Sequence, residues 1–307
     1  MASSELGMGT LLLFQTGIGL LGNVSLLCFY TLTSFTKHTQ RPVDLILTQL
    51  ALANSLVLFS RGIPQTLDAF GFKYFPGEVG CKASFYTHRV ARGGSLCSTC
   101  FLSGFQATML SLGNARWAEL RCKAPKFVPP GCSLCWILHL LIHSVVPMKI
   151  TPSGHTTNIS KMDFGLCSGK EIDSFMMSLH VFLFSFMDTL FLGLMVWASG
   201  STVIFLQRHK QRVQYIHHIS LSPRASLETT AIHTVLLLVS SFVSFYSLSS
   251  GLSVYLTCCV NSSLPLWNIN VFLAACFPAF SPFVLIACDI QLFRTYFVGG
   301  GKMNIFK

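Results

Sequence analysis

Long uncharged runs, separated by short polar clusters, set the pattern along this chain. No charged residue lies between Glu5 and Lys37, and sixty residues pass without one from Thr229 to Cys288. A helix needs about 20 apolar residues to cross a bilayer. The sixty-residue run is therefore too long for a single crossing, and the cluster Asn261-Ser-Ser-Leu-Pro265 divides it into two. Pro42 opens a second span after the polar loop of Lys37, His38 and Arg41, a position where a helix tolerates proline. The pattern predicts seven spans, at about residues 9–32, 42–61, 81–113, 131–148, 174–207, 229–257 and 266–288. The basic stretch 114–126, closed by Pro129 and Pro130, is expected to be a loop. The fifth span is expected to project beyond the bilayer into Arg208, Lys210 and Arg212. The expected fold is thus an all-α membrane protein, a seven-transmembrane helix bundle forming one domain over residues 1–307.

Composition agrees. Only 10% of the 307 residues are charged, against about 25% in soluble proteins. The net charge of +10 follows membrane topology and not a nucleic-acid surface. Loops after spans one, three and five and the tail hold 13 Lys and Arg, and the opposite side holds 5. The richer side is expected to be cytoplasmic, which puts the N-terminus outside. The first span exceeds a signal-peptide core of about 7–15 residues, so it is expected to target the chain itself. On the outer side, Asn158-Ile-Ser160 is a glycosylation sequon. Cys167 is the one cysteine of the long outer loop, and Cys81 opens span three on the same side, so these two form the expected disulfide.

Span three carries His88, Arg89 and Arg92, spaced three and four apart and so crowded into one sector. Arg92 lies about 16 Å along the helix from Cys81, at roughly 1.5 Å per residue, near the middle of the hydrocarbon. An arginine facing lipid there costs at least about 2.5–3.5 kcal/mol. The sector must therefore face protein or a wet cavity. Asp188 is the one acid deep in another span and could pair with it, so pocket lining and internal pairing both stay open.

Cys97-x-x-Cys100 and Cys132-x-x-Cys135 have redox or metal spacing, but both lie at lipid depth and are expected to pack as small hydrophobes. His139 and His143 are expected to make polar contacts between helices; no metal or cofactor is expected. A Ser-His-Asp order, a glycine-rich phosphate loop and a His-Glu-x-x-His run are all missing, so the chain does not read as an enzyme. A transporter or channel subunit is the competing class. Against it, no internal repeat is visible and a single carboxylate sits at mid-membrane.

Local strings narrow the reading. His-Arg-Val-Ala-Arg-Gly (88–93), Ser-Leu-Cys-Ser-Thr-Cys (95–100), Arg-Trp-Ala-Glu-Leu (116–120) and Cys-Trp-Ile-Leu-His-Leu-Leu (135–141) resemble the vomeronasal type-1 receptors. So do Met-Val-Trp-Ala-Ser-Gly-Ser (195–201), Ser-Phe-Val-Ser-Phe-Tyr (241–246) and Phe-Pro-Ala-Phe-Ser-Pro-Phe-Val-Leu (277–285), and the likeness runs from span one to the end of span seven. The resemblance implies a rhodopsin-like architecture and a pheromone receptor of the plasma membrane acting through an inhibitory-type heterotrimeric G protein. The chain departs from ordinary rhodopsin-like receptors at several switches. Asn54 stands where an aspartate is usual, Phe105-Gln106-Ala107 replaces Asp-Arg-Tyr, and Ser281-Pro282-Phe283-Val284-Leu285 replaces Asn-Pro-x-x-Tyr.

The resulting expectation is a small, largely apolar ligand entering from outside among spans three, five, six and seven. His88, Arg89 and Arg92 would favour a carbonyl, sulfate or carboxylate over an amine, and Phe245 and Tyr246 would supply aromatic walls. Gln106, Arg116, Arg208 and Lys210 would face the G protein. A receptor that reaches the membrane without signalling is a further alternative.

Overall fold

The computed structural model describes residues 3–37, 41–72, 77–110, 115–144, 150–152, 162–163, 167–169, 174–216, 223–258 and 264–298. These residues form seven long helices: α1 (Ser3–Lys37), α2 (Pro42–Ala69), α3 (Gly77–Leu110), α4 (Ala115–His143), α5 (Ser174–Ile216), α6 (Pro223–Cys258) and α7 (Leu264–Val298). Six of them are long and apolar enough to cross a membrane. The exception is α3, whose histidine, arginines and glycines lower its hydropathy. That helix needs no apolar exterior because its neighbours surround it: it packs against α2, α4, α5 and α6. Large apolar side chains such as Phe14, Leu21, Leu134, Phe182, Trp197 and Leu248 point outward from the other helices, as a lipid-facing surface requires.

Two expected boundaries move. The second span does not stop at Arg61; its helix continues to Ala69. Between Val57 and Ile63 the helix widens into a π-helical turn, Leu58–Gly62, in which the Leu58 carbonyl accepts from the Ile63 N–H, five residues on. The wide turn carries Arg61 into the bundle. The expected loop at 114–126 is instead helical from Ala115, and α4 contains Pro125, Pro129 and Pro130. Each proline removes one backbone donor, a loss that a membrane helix tolerates where other groups re-satisfy the backbone. The long reach of α5 agrees with its expected projection, since it continues to Ile216.

The α3–α4 contact follows a regular ladder. A Cβ on Gly93 would meet the His139 ring at 2.2 Å, and one on Gly131 would meet Phe101 at 2.7 Å. Between these rungs Cys97 meets Cys135, bonded sulfur to sulfur with Cα atoms 6.5 Å apart. Steps of four residues on two antiparallel helices pair 93 with 139, 97 with 135 and 101 with 131. Cys97 and Cys135 are thus corrected from packing residues to an inter-helix link, while Cys100 and Cys132 remain free thiols.

The segment between α4 and α5 contributes a small antiparallel sheet, β1 (Ile150–Pro152), β2 (Met162–Asp163) and β3 (Cys167–Gly169), in the order β1-β3-β2. β1 rests against α3, and Pro152 pairs with Cys167 across the register. Cys81 is buried and disulfide-bonded. The side chain of Cys167 and all of Asn158 lie outside the described residues.

Candidate functional site

α3, α6 and α7, with Val57 of α2, enclose a cavity of about 340 Å³, mouth included. Its lining brings together four of the five expected ligand residues, His88, Arg92, Phe245 and Tyr246. The fifth, Arg89, is exposed on α3 and acts on the site through space, its charge felt by Arg92 and by Asp188. α5 contributes Asp188 as an electrostatic neighbour but no lining residue.

Arg92 is tied to α6. Its Nη2 donates to Ser249 Oγ at 2.9 Å and to Ser250 Oγ at 2.8 Å, and its guanidinium lies 4.1 Å from the Tyr246 ring centroid. Asp188 faces the same group, with Arg92, the Tyr246 hydroxyl and Arg89 as its electrostatic partners. Arg92 is thus both bonded to α6 and part of the cavity lining, with Asp188 acting on it through space. The aromatic floor is built by Phe242, set edge-on to Phe277 at 4.5 Å and stacked on Tyr246 at 5.1 Å.

Sequence reasoning missed Arg61 as a site residue, taking it as the end of the second span. A second, smaller cavity of about 190 Å³ adjoins the first and is lined by Arg61, Gly62, His88 and three residues of α7, with Val57, His88 and Ala274 common to both. Arg61 lies over the Trp267 ring at 4.6 Å. Its seven-residue spacing from Asn54 was the available signal, because such residues share a helix face. Beneath the cavity, Asn54 joins three helices: its Nδ2 donates to Ser281 Oγ at 2.9 Å, and its Oδ1 accepts from Ser95 Oγ at 2.8 Å.

Cys97, Cys135 and His139 bring three metal-type ligand atoms within 4.8 Å of one another, all buried. With the two sulfurs bonded to each other, the group offers no thiolate to hold an ion. Toward the other end of the bundle, Gln106 is half-buried on α3 and Arg208 is exposed on α5. Arg116 and Lys210 lie on the helical backbones of α4 and α5, and their side chains are outside the described residues.

Comparison with known proteins gives a consistent set of likenesses. Residues 6–298 match the model of the vomeronasal organ pheromone receptor family. Vomeronasal type-1 receptor 1 of Homo sapiens is 46% identical over 307 residues, covering 100% of this chain and 87% of the relative. Vomeronasal type-1 receptor 4 of Homo sapiens is 44% identical over 298 residues, covering 97% and 99%. Olfactory receptor class A-like protein 1 of Danio rerio is 29% identical over 286 residues, covering 92% and 90%. Among solved structures, squid rhodopsin superposes with a TM-score of 0.69 at 15% identity, over 92% of this chain and 76% of that one. The shared fold is rhodopsin-like.

Proposed function

Because the chain belongs to the vomeronasal type-1 receptor family, multi-pass G protein-coupled pheromone receptors and not enzymes, we propose that it signals through an inhibitory-type G protein when a small ligand enters from outside. The ligand has a largely apolar body that rests against Phe242, Phe245, Tyr246 and Phe277. Its polar group is a carbonyl, sulfate or carboxylate, drawn by the cationic sector of α3. The observation that carries this reading is the joint lining of one cavity by His88, Arg92 and those aromatic rings.

Signalling follows from the tie between α3 and α6. A ligand that competes for the Arg92 guanidinium loosens its bonds to Ser249 and Ser250 and so favours one of two bundle arrangements over the other. The G protein meets the end of the bundle that holds Gln106, Arg116, Arg208 and Lys210, and the protein resides in the plasma membrane with its N-terminus outside. Cys81 pairs with Cys167, a reading supported by β3 being joined through β1 to α3.

The test uses cells displaying the tagged receptor, exposed to steroids, volatile acids and urinary extracts, with cyclic AMP as the readout. A fall in cyclic AMP that Arg92→Ala abolishes, at unchanged surface display, is the expected result. A ligand-evoked solute flux or current without G protein would replace this reading with transport, and a well-displayed protein without response would mark a silent receptor.

A further inference from the structure

The cations of this site are not equivalent. Arg92 has two serine hydroxyls, an aromatic face and the Asp188 carboxylate around it. Arg61 has none of these hydrogen-bonding partners: its Nη2 is buried and makes no hydrogen bond. Among the described residues, the charges that act most on it are Arg89 and Arg92, both positive. His88, which lines both cavities and is 4% exposed, sets its ring against the Val57 backbone. One guanidinium with unused donor capacity therefore faces the small cavity between α2, α3 and α7.

Building on the receptor reading above, we propose that this second cavity is an oxyanion subsite, in which Arg61 holds the sulfate or carboxylate head of a ligand whose apolar body lies in the larger cavity and His88 forms the wall between the two. The π-helical turn supplies the geometry, since it swings Arg61 inward, while Gly62 lets α1 pack closely on the turn; a Cβ there would meet Thr16 at 2.6 Å. A guanidinium presents a planar fork of donors matched to an oxyanion. An incoming anion supplies the counter-charge that the protein withholds. Arg61 then binds the oxyanion head, while Arg92 remains the group through which the ligand loosens α6.

The test is saturation binding of radiolabelled 2-naphthyl sulfate and of 2-naphthol, the same ring without the oxyanion, to the purified receptor in lipid nanodiscs. Arg61→Gln is expected to weaken naphthyl sulfate about tenfold or more, the scale of a lost charge-assisted hydrogen bond. Naphthol binding should change by less than about twofold, and Arg61→Lys should recover part of the sulfate preference. Thermal unfolding provides an independent readout. Removing a cation whose Nη2 makes no hydrogen bond should leave the Arg61→Gln melting temperature close to that of the native protein, and naphthyl sulfate should raise the melting temperature of the native protein alone. A sharp fall in the variant's melting temperature would make Arg61 a structural residue and overturn the proposal. Loss of sulfate preference with Arg92→Gln but not Arg61→Gln would overturn it while leaving the receptor reading in place. No saturable naphthyl sulfate binding, or no effect of either variant, would remove the oxyanion from both readings.

Discussion

Asn54 shows what one side chain can join without carrying charge. Its amide donates to Ser281 on α7 and accepts from Ser95 on α3, and it is fully buried. Asn54→Ala leaves both hydroxyls without that partner inside the bundle, a cost of about 1–3 kcal/mol per orphaned group. The expected outcome is a lowered thermal midpoint in detergent or nanodisc, with Ser281→Ala producing a smaller drop because the Ser95 bond survives. The same logic applies to Asn23, which donates to the Pro278 carbonyl at 2.8 Å and ties α1 to α7 beside a proline. Pro278 lies inside the helix, so its missing N–H already interrupts the backbone pattern there, and the asparagine uses the nearby carbonyl as an inter-helix anchor.

At the scale of elements, the tightest approach at any described glycine is that of Gly93 on α3 to His139 on α4. Gly93→Ala forces the two apart at a rung one turn from the Cys97–Cys135 link. The expected loss is about 1–3 kcal/mol, the range for overpacking a tight contact, measured as a lower thermal midpoint and reduced surface yield. Gly104→Ala is the matched control, since nothing lies within 4 Å of its Cβ. Much of this level is legible in the sequence. Uncharged runs separated by polar clusters mark the helices, and α3, the least apolar, is marked as a central helix by the cationic sector of His88, Arg89 and Arg92. The end of α2 is not legible because a charged residue resembles a boundary until the fold shows a cavity to receive it. The start of α4 is hidden for a related reason: three prolines argue against a helix locally, and the tertiary setting overrides that preference. The Cys97–Cys135 link is hidden because spacing within each motif, Cys97 to Cys100 and Cys132 to Cys135, draws attention to the wrong pairs.

For the molecule as a whole, charge asymmetry fixes the expected orientation, and Asn158 offers a direct test of it. Glycosidase treatment of the cell-surface protein should increase its gel mobility, and Asn158→Gln should abolish that shift. A protein that carries no glycan on Asn158 while reaching the surface would put the segment between α4 and α5 on the cytoplasmic side, contrary to the positive-inside asymmetry. The candidate ligand site is partly legible at this scale. Helical spacing places His88 and Arg92 on one face, and these two do line the cavity with Phe245 and Tyr246. Arg89 falls outside the lining because it is exposed.

The wide turn in α2 has a consequence for how such a bundle could diverge. A hydrogen bond that closes over five residues, Leu58 to Ile63, contains one residue more than an α-helical turn. The surplus is absorbed locally, so Gln65 still reaches Asn268 at 3.2 Å on α7. A one-codon deletion at this turn would let the helix close regularly, with its flanks in place but the inward berth for a guanidinium gone. Insertion or loss of a single residue, not substitution of a pocket wall, is thus a short genetic path by which a seven-helix receptor of this kind could gain or lose a buried cation.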